Sequence, residues 1–247
     1  MILSSALAEA VEDGRLPRNP AAKAKPPTAE QARAPEMHPW TEPELDTFLA
    51  WSAENSPHHL AWRVLSYTGA RRGEALELRW RDWDPETATI KIRRSVGVVG
   101  TKGEGASVEV GLTKSGRDRT VSVDPGTAAL LPSWRLKRAG LGLHLAAPDS
   151  LIFSDLEGQH HHPERFSRTW QQTLARCRKT HPDLPVIRLH DLRHTHATIL
   201  LRKGVPVKAV SVRLGHSTPV ITMNVYAGWA PADDVNAAAV FASRTGS

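Results

Sequence analysis

Apolar positions recur at helical spacing along most of the 247 residues and alternate with period two in only one central interval. Leu3, Ala6, Leu7 and Ala10 predict a short helix from Ile2 to Asp13, closed by Gly14. A stronger start signal follows. Thr41 stands as an N-cap, Glu44 is its partner three residues on, and Trp40 and Leu45 form the flanking apolar pair, predicting a helix to about Ser52. Further helices are expected from His59 to Tyr67, Arg71 to Leu78, Thr127 to Arg138, Pro163 to Arg178, His190 to about Arg202, Val205 to Leu214 and Asp233 to Phe241. Between them, Ala88 to Val96, Ser107 to Leu112 and Arg119 to Val123 are alternating or β-branched runs separated by glycine-rich turns, which predicts one small three-stranded antiparallel sheet. The fold class is therefore α+β, mainly helical. The tryptophans read as core or packing shelves, and no internal repeat is visible.

Composition changes this picture at the N-terminus. Residues 16–39 contain six prolines among basic residues and alanines, a linker composition, and the helix of residues 1–15 is too short to stand alone. The opening Met1 to Ala10 lacks a long apolar core and runs into Glu12 and Asp13, so neither a signal peptide nor a membrane span is expected. One cysteine, Cys177, excludes an intramolecular disulfide and fits a packing role in a cytoplasmic protein. The net charge is +6 and the pI about 9.8. Arginine outnumbers lysine 23 to 9, which suits bidentate contact with phosphate, although basic balance alone points only weakly to nucleic acid.

The chemistry concentrates between His190 and Tyr226. On a helix, His190, Arg193 and His194 fall within about 100° of one another, with Leu192 and Ile199 opposite, so one face is chemical and the other packs. Gly204 follows Arg202 and Lys203 as a C-cap signal, and Leu214-Gly215-His216 ends the next helix and presents an imidazole. Upstream stand Thr68-Gly69-Ala70-Arg71-Arg72-Gly73-Glu74 and Leu112-Thr113-Lys114-Ser115-Gly116. In this order, H-x-L-R-H, L-G-H and a tyrosine ten residues later, preceded by T-G-x-R-x-x-E and a hairpin lysine, resemble the catalytic half of tyrosine recombinases of the phage integrase family. The resemblance covers roughly residues 40 to 230.

That resemblance implies an integrase-type catalytic domain over residues 40–230, preceded by the last helix of a core-binding domain truncated at its N-terminus, and followed by a C-terminal helix at 231–247 that a neighbouring protomer could exchange. It implies a site-specific recombinase or integrase that acts on double-stranded DNA as a homotetramer, DNA-associated in the cytoplasm. Arg71 and Arg193 would clamp the charge that builds on a phosphodiester under attack. Tyr226 would attack phosphorus, giving a covalent 3′-phosphotyrosine. By the same resemblance Lys114 would protonate the leaving oxygen, His190 would assist proton transfer at the tyrosine, and His216 would hydrogen-bond the phosphate. Glu74 would orient the site through a polar contact, and His194 would play a supporting part. No cofactor or metal is expected. A zinc site is the rival chemistry, since His190 and His194 are spaced i,i+4 and His160-His161-His162 adds a cluster. Against it, Asp191 replaces the glutamate base, Arg193 brings a fixed cation, and the histidine run reads as a solvated polar loop. The remaining alternatives are a DNA-binding fragment of weak catalytic power and type IB topoisomerase-like strand cleavage.

Overall fold

The computed structural model describes residues 2–24, 39–101, 105–113, 116 and 118–226, excepting the side chains of 2, 100, 101, 105, 106, 221 and 224–226. The chain divides into two compact units, Met1–Met37 and His38–Ser247. In the first, α1 (Ile2–Glu12) ends at Gly14, whose φ of 70° is left-handed. The amides of Arg15 and Leu16 then return to the Ala10 carbonyl at 2.8 and 3.1 Å, and Asn19 Nδ2 donates to the Ser4 carbonyl at 2.9 Å. The following turn thus folds back along α1.

The second unit opens with α2 (Glu42–Asn55), where the Glu44 carboxylate accepts from both the amide and the hydroxyl of Thr41 at 2.6 and 2.8 Å. Glu44 thus reaches back to the N-cap residue, the pairing that the sequence signals. Next come α3 (His59–Thr68), α4 (Arg72–Leu76), β1 (Trp83–Asp84), β2 (Thr89–Ile92), β3 (Arg94–Thr101), β4 (Gly105–Leu112) and β5 (Arg119–Ser122). The chain continues through α5 (Pro125–Leu141), α6 (Pro163–Cys177), α7 (Asp191–Arg202), α8 (Val207–Leu214) and α9 (Pro219–Tyr226). Asp124 caps α5, its side chain accepting from the Thr127 amide.

The architecture is mainly helical with small antiparallel sheets, and the strand pairing corrects one expectation. A three-stranded sheet exists, but its order is β1-β2-β5, while β3 and β4 form a separate hairpin. Ala88 to Val96 is therefore not one strand. At its middle, Arg93 Nε approaches Asp82 at 3.2 Å, and Arg94 bonds Glu77 and Asp82 at 3.1 Å each. Those buried carboxylates hold the chain where it leaves β2 and starts β3. Ser107 to Leu112 then pairs with its neighbour in sequence, β3, and the place beside β2 is taken by the two residues of β1. The expected final helix, Asp233 to Phe241, lies outside the described residues.

The core is aromatic. Trp40, Phe48, Trp62 and Trp170 are all buried, with ring centroids 4.8–5.8 Å apart. Such tilted and edge-on pairs each add roughly 0.5–1.5 kcal/mol beyond area burial. A buried indole N–H needs an acceptor, and these acceptors do positional work. Trp40 donates to the Pro185 carbonyl at 3.0 Å and Trp170 to the Ile187 carbonyl at 2.9 Å, tying down the segment that leads into α7. The Trp40 amide adds a bond to Thr195 Oγ1 on α7 itself. A smaller cluster of Ala197, Leu201, Val210 and Leu214 joins α7 to α8. Cys177 is buried in the main core and its thiol pKa is raised by that burial.

The three-histidine run is packed rather than solvated, a second correction. His160 Nε2 bonds the buried Glu77 carboxylate, His161 stacks on Phe166 at 5.8 Å, and His162 Nδ1 accepts from the Glu164 amide at the start of α6. A polar run before proline reads as exposed, but each ring here has found a partner. No helix among the described residues is long and apolar enough to cross a membrane.

Candidate active site

The site assembles where three helix ends meet. Gly69 terminates α3 in the left-handed region at φ 65°, which lets the chain reverse into Arg71. A Cβ at Gly69 would lie 2.7 Å from both the His196 ring and Leu214, so glycine is required twice over. Arg71 then stands at the N-cap of α4, and Glu74 in its first turn accepts from the Arg71 amide and from its Nη1, both at 2.8 Å. Arg71 is half-buried and is held by backbone and side chain together.

Arg193 comes from the first turn of α7 and is 3% exposed. Its Nη1 donates to the Gly69 carbonyl at 2.6 Å and its Nη2 to the Leu214 carbonyl at 2.7 Å. One guanidinium thus joins the end of α3 to the end of α8. A guanidinium carries its five N–H donors in a rigid planar fork, and here that fork is held by two helix ends.

Gly215, at φ 69°, ends α8 and turns the chain to His216, which is half-buried and bonds Thr222 Oγ1 through Nδ1 at 2.8 Å. Thr222 lies in α9, one turn before Tyr226. The Tyr226 side chain lies outside the described residues, as does Lys114. His190 keeps a solvent-exposed edge just before α7, and its ring stands perpendicular to that of His194 at 5.1 Å.

The electrostatics tie these residues into one site. Desolvation lowers the pKa of His190, and the charges of Arg193 and Arg71 lower it further. His216 is lowered to about 4, first by desolvation and then by Arg193, Arg71 and Arg119. His194 also falls to about 4, through desolvation and then His190. Both arginines of the sequence motifs therefore act on both motif histidines.

The metal rival finds little support in this arrangement. Asp191, where a zinc hydrolase would place its base, is held by Arg188 through bonds of 2.7, 3.0 and 2.8 Å. No group of three or more metal-ligating side chains occurs among the described residues.

Two arginines close to the site escaped the sequence reading as site residues. Arg119 is buried against Glu74, and Arg213 donates to His196 Nε2 at 3.0 Å and to the Tyr67 carbonyl at 2.8 Å. A signal existed for the first. Alternation along Arg119-Thr120-Val121-Ser122 puts Arg119 on the same inward face as Val121, and that is the observed burial. Gly73 is likewise structural, because a Cβ there would lie 2.2 Å from the Val96 carbonyl where α4 presses on β3.

The mainly helical scaffold thus gathers two arginines and two histidines beside a helix that ends at Tyr226. The chain belongs to the phage integrase family, whose model matches residues 41–232. It is 30% identical over 236 residues to the integrase of Mycobacterium phage D29, covering 94% of this chain and 58% of that protein. It is 28% identical over 243 residues to a XerC-like tyrosine recombinase of Caldanaerobacter subterraneus, covering 92% and 60%. The chain thus spans less than two thirds of the length of these relatives. Among solved structures, the Tn1549 transposon integrase in complex with a circular intermediate DNA aligns with a TM-score of 0.75 at 21% identity, over 97% of this chain and 76% of that one. The XerA recombinase aligns at 0.59 and 20%, over 87% and 68%. At such identities these likenesses speak for the fold.

Proposed function

We propose that the chain is a site-specific recombinase that cuts and rejoins duplex DNA through a 3′-phosphotyrosine at Tyr226. The supporting observation is the shared field of Arg71 and Arg193 on His190 and His216, a concentration of positive charge with neutral imidazoles around it. Such a site suits a phosphodiester whose non-bridging oxygens gain charge under attack. The Tyr226 phenol attacks phosphorus and yields its proton with assistance from His190. The P–O bond to the 5′ oxygen breaks, and Lys114 supplies that oxygen with a proton. His216 hydrogen-bonds the phosphate, and Glu74 and His194 support the arrangement. Rejoining is the reverse, with a 5′-hydroxyl of a second duplex as nucleophile.

On this reading, residues 40–230 are the catalytic domain, residues 16–39 a linker from the α1 segment, and residues 231–247 a helix offered to a neighbouring protomer. The working form is a DNA-bound homotetramer in the cytoplasm. The kinship with phage integrases and a XerC-like recombinase supports the recombinase reading, and the family match over residues 41–232 supports the extent of its catalytic region.

The test uses nicked suicide duplexes tiled from the DNA flanking the gene. The chain is expected to give a covalent protein–DNA adduct on one of them, and Tyr226→Phe to give none while retaining most of its affinity, because phosphate contacts dominate binding. An adduct that persists in Tyr226→Phe, or none with the unaltered chain on any duplex, overturns the proposal. Relaxation of supercoiled DNA without joining of two duplexes would select the topoisomerase-like alternative.

A further inference from the structure

Arg119 opens β5, and its side chain is 7% exposed. Its Nη1 and Nη2 donate to the two Glu74 oxygens at 3.0 and 2.6 Å, a bidentate pair whose carboxylate is fully buried. Its Nε donates to the Arg213 carbonyl at 3.0 Å. This carbonyl and that of Leu214, which Arg193 takes, are the last two of α8, groups that a helix cannot satisfy internally. The guanidinium also fills the space beside Gly215, where a Cβ would meet Nη1 at 2.8 Å, Cδ at 3.0 Å and Cζ at 3.1 Å. A single side chain therefore touches the carboxylate that holds Arg71 and the turn that presents His216.

Glu74 connects the two arginines. Burial pushes its carboxyl pKa up, and the Arg119 bond, the Arg119 charge and the Arg71 contacts more than offset this, so it lies below the usual range. A carboxylate pinned on both oxygens by Arg119 has one orientation, and that orientation is the one Arg71 binds. Without Arg119 it could turn or take up water, and Arg71 would lose its fixed aim.

We infer that Arg119 is a positioning residue for strand cleavage, acting on Arg71 through Glu74 and on His216 through the end of α8. The inference rests on the recombinase reading above. It adds a member that never touches the phosphate.

The experiment measures single-turnover cleavage of a suicide duplex, at saturating DNA, by the full chain and by Arg119→Met, Arg119→Lys, Glu74→Gln and the Arg119→Met/Glu74→Gln double variant. Misplacing a reacting group by about 1 Å costs on the order of a hundredfold, so Arg119→Met is expected to cleave about a hundredfold more slowly, with DNA affinity changed by less than about threefold. Arg119→Lys should recover part of the rate. Because Arg119 and Glu74 act along one route, the double variant should be no slower than the slower single variant. The double variant also removes the buried carboxylate charge that Arg119→Met leaves unpaired, so it keeps the test open if the single variant fails to fold.

A second readout is independent of cleavage. The Arg71 Nε–H resonance in a 15N-labelled chain, assigned by its loss in Arg71→Ala, is expected to shift or broaden in the Arg119 variants. Folded Arg119→Met cleaving at the unaltered rate, or strictly multiplicative losses in the double variant, would overturn the inference. So would an unmoved Arg71 resonance, which also decides the matter if the unaltered chain forms no adduct and the recombinase reading itself fails.

Discussion

Replacing Gly215 by alanine should cost far more than replacing Gly204, although both glycines follow a helix in the left-handed region, at φ 69° and 77°. A residue with a Cβ pays about 1–2 kcal/mol to adopt that conformation. At Gly204 nothing lies within 4 Å of the new Cβ, so this is the whole effect. At Gly215 the Cβ meets the Arg119 guanidinium at 2.8 Å. The end of a long side chain normally swings aside, but this one is held by Glu74 on two nitrogens and by the Arg213 carbonyl on a third. Moving it sacrifices at least one hydrogen bond to a charged group, about 1.5–3 kcal/mol, and the sum for Gly215→Ala is roughly 2.5–5 kcal/mol.

For a domain of this size, about 1 kcal/mol lowers Tm by about 2–4 °C. Gly204→Ala should therefore melt about 2–8 °C lower and Gly215→Ala about 5–20 °C lower. Urea unfolding of the two variants and the parent supplies free energies, and a triple comparison with Arg119→Met isolates the collision. In that background the extra cost of Gly215→Ala should vanish. Equal losses at the two glycines would show that Arg119 is not a fixed wall, and the magnitude argued here would be wrong.

Arg193→Ala strips two buried backbone carbonyls of their donor, at about 1–3 kcal/mol each, so urea unfolding should show it destabilised by roughly 2–6 kcal/mol, well beyond Arg71→Ala. Equal stabilities for the two variants would contradict the bracing of α3 to α8. Acid should destabilise the fold before its carboxylates titrate. His196 is lowered to about 3, first by desolvation and then by Arg213, and His58, His194 and His216 to about 4, against 6.5 in the unfolded chain. Between pH 6.5 and 4 the unfolded chain binds more protons than the folded one, so stability falls as pH falls through that window, at up to ~1.4 kcal/mol per pH unit for His196 alone. Urea midpoints that stay level from pH 7.5 to 4.5 would refute it.

What could be read from the sequence is what is encoded locally. The Thr41–Glu44 cap and the glycine stops at Gly204 and Gly215 involve residues within a few positions of each other, and local chemistry decides them. Strand partners are not local in this sense. Alternation in Ala88 to Val96 marked extended chain correctly but carried no information on where Arg93 and Arg94 would meet Asp82 and Glu77 and divert the strand. The Arg119–Glu74 pair spans 45 positions, and nothing in a single sequence matches one arginine among 23 to one glutamate. His160 shows the same limit from the other side. Its polar surroundings in sequence suggested solvent, whereas its partner, Glu77, arrives from 83 positions away.

The structure also sorts the cations from the neutral groups in the site. Arginine keeps its charge there, because its pKa is far above any shift that burial imposes, while His190 and His216 are depressed by desolvation and then by the arginines themselves. At neutral pH the imidazoles of His190 and His216 are thus hydrogen-bonding groups, each ring with one nitrogen that donates and one that accepts. Among the described residues the carboxylate bonded to Arg71 is Glu74, and Arg119 shares it, so this carboxylate faces two guanidinium groups. Arg193 brings a further guanidinium, held by the carbonyls of Gly69 and Leu214. On the proposed recombinase reading, a phosphodiester in the site would bring negative charge against the same arginine fields that hold the histidine pKa values down. Its presence would then raise those values from their depressed level, favouring proton exchange by His190 and His216 when phosphate is bound.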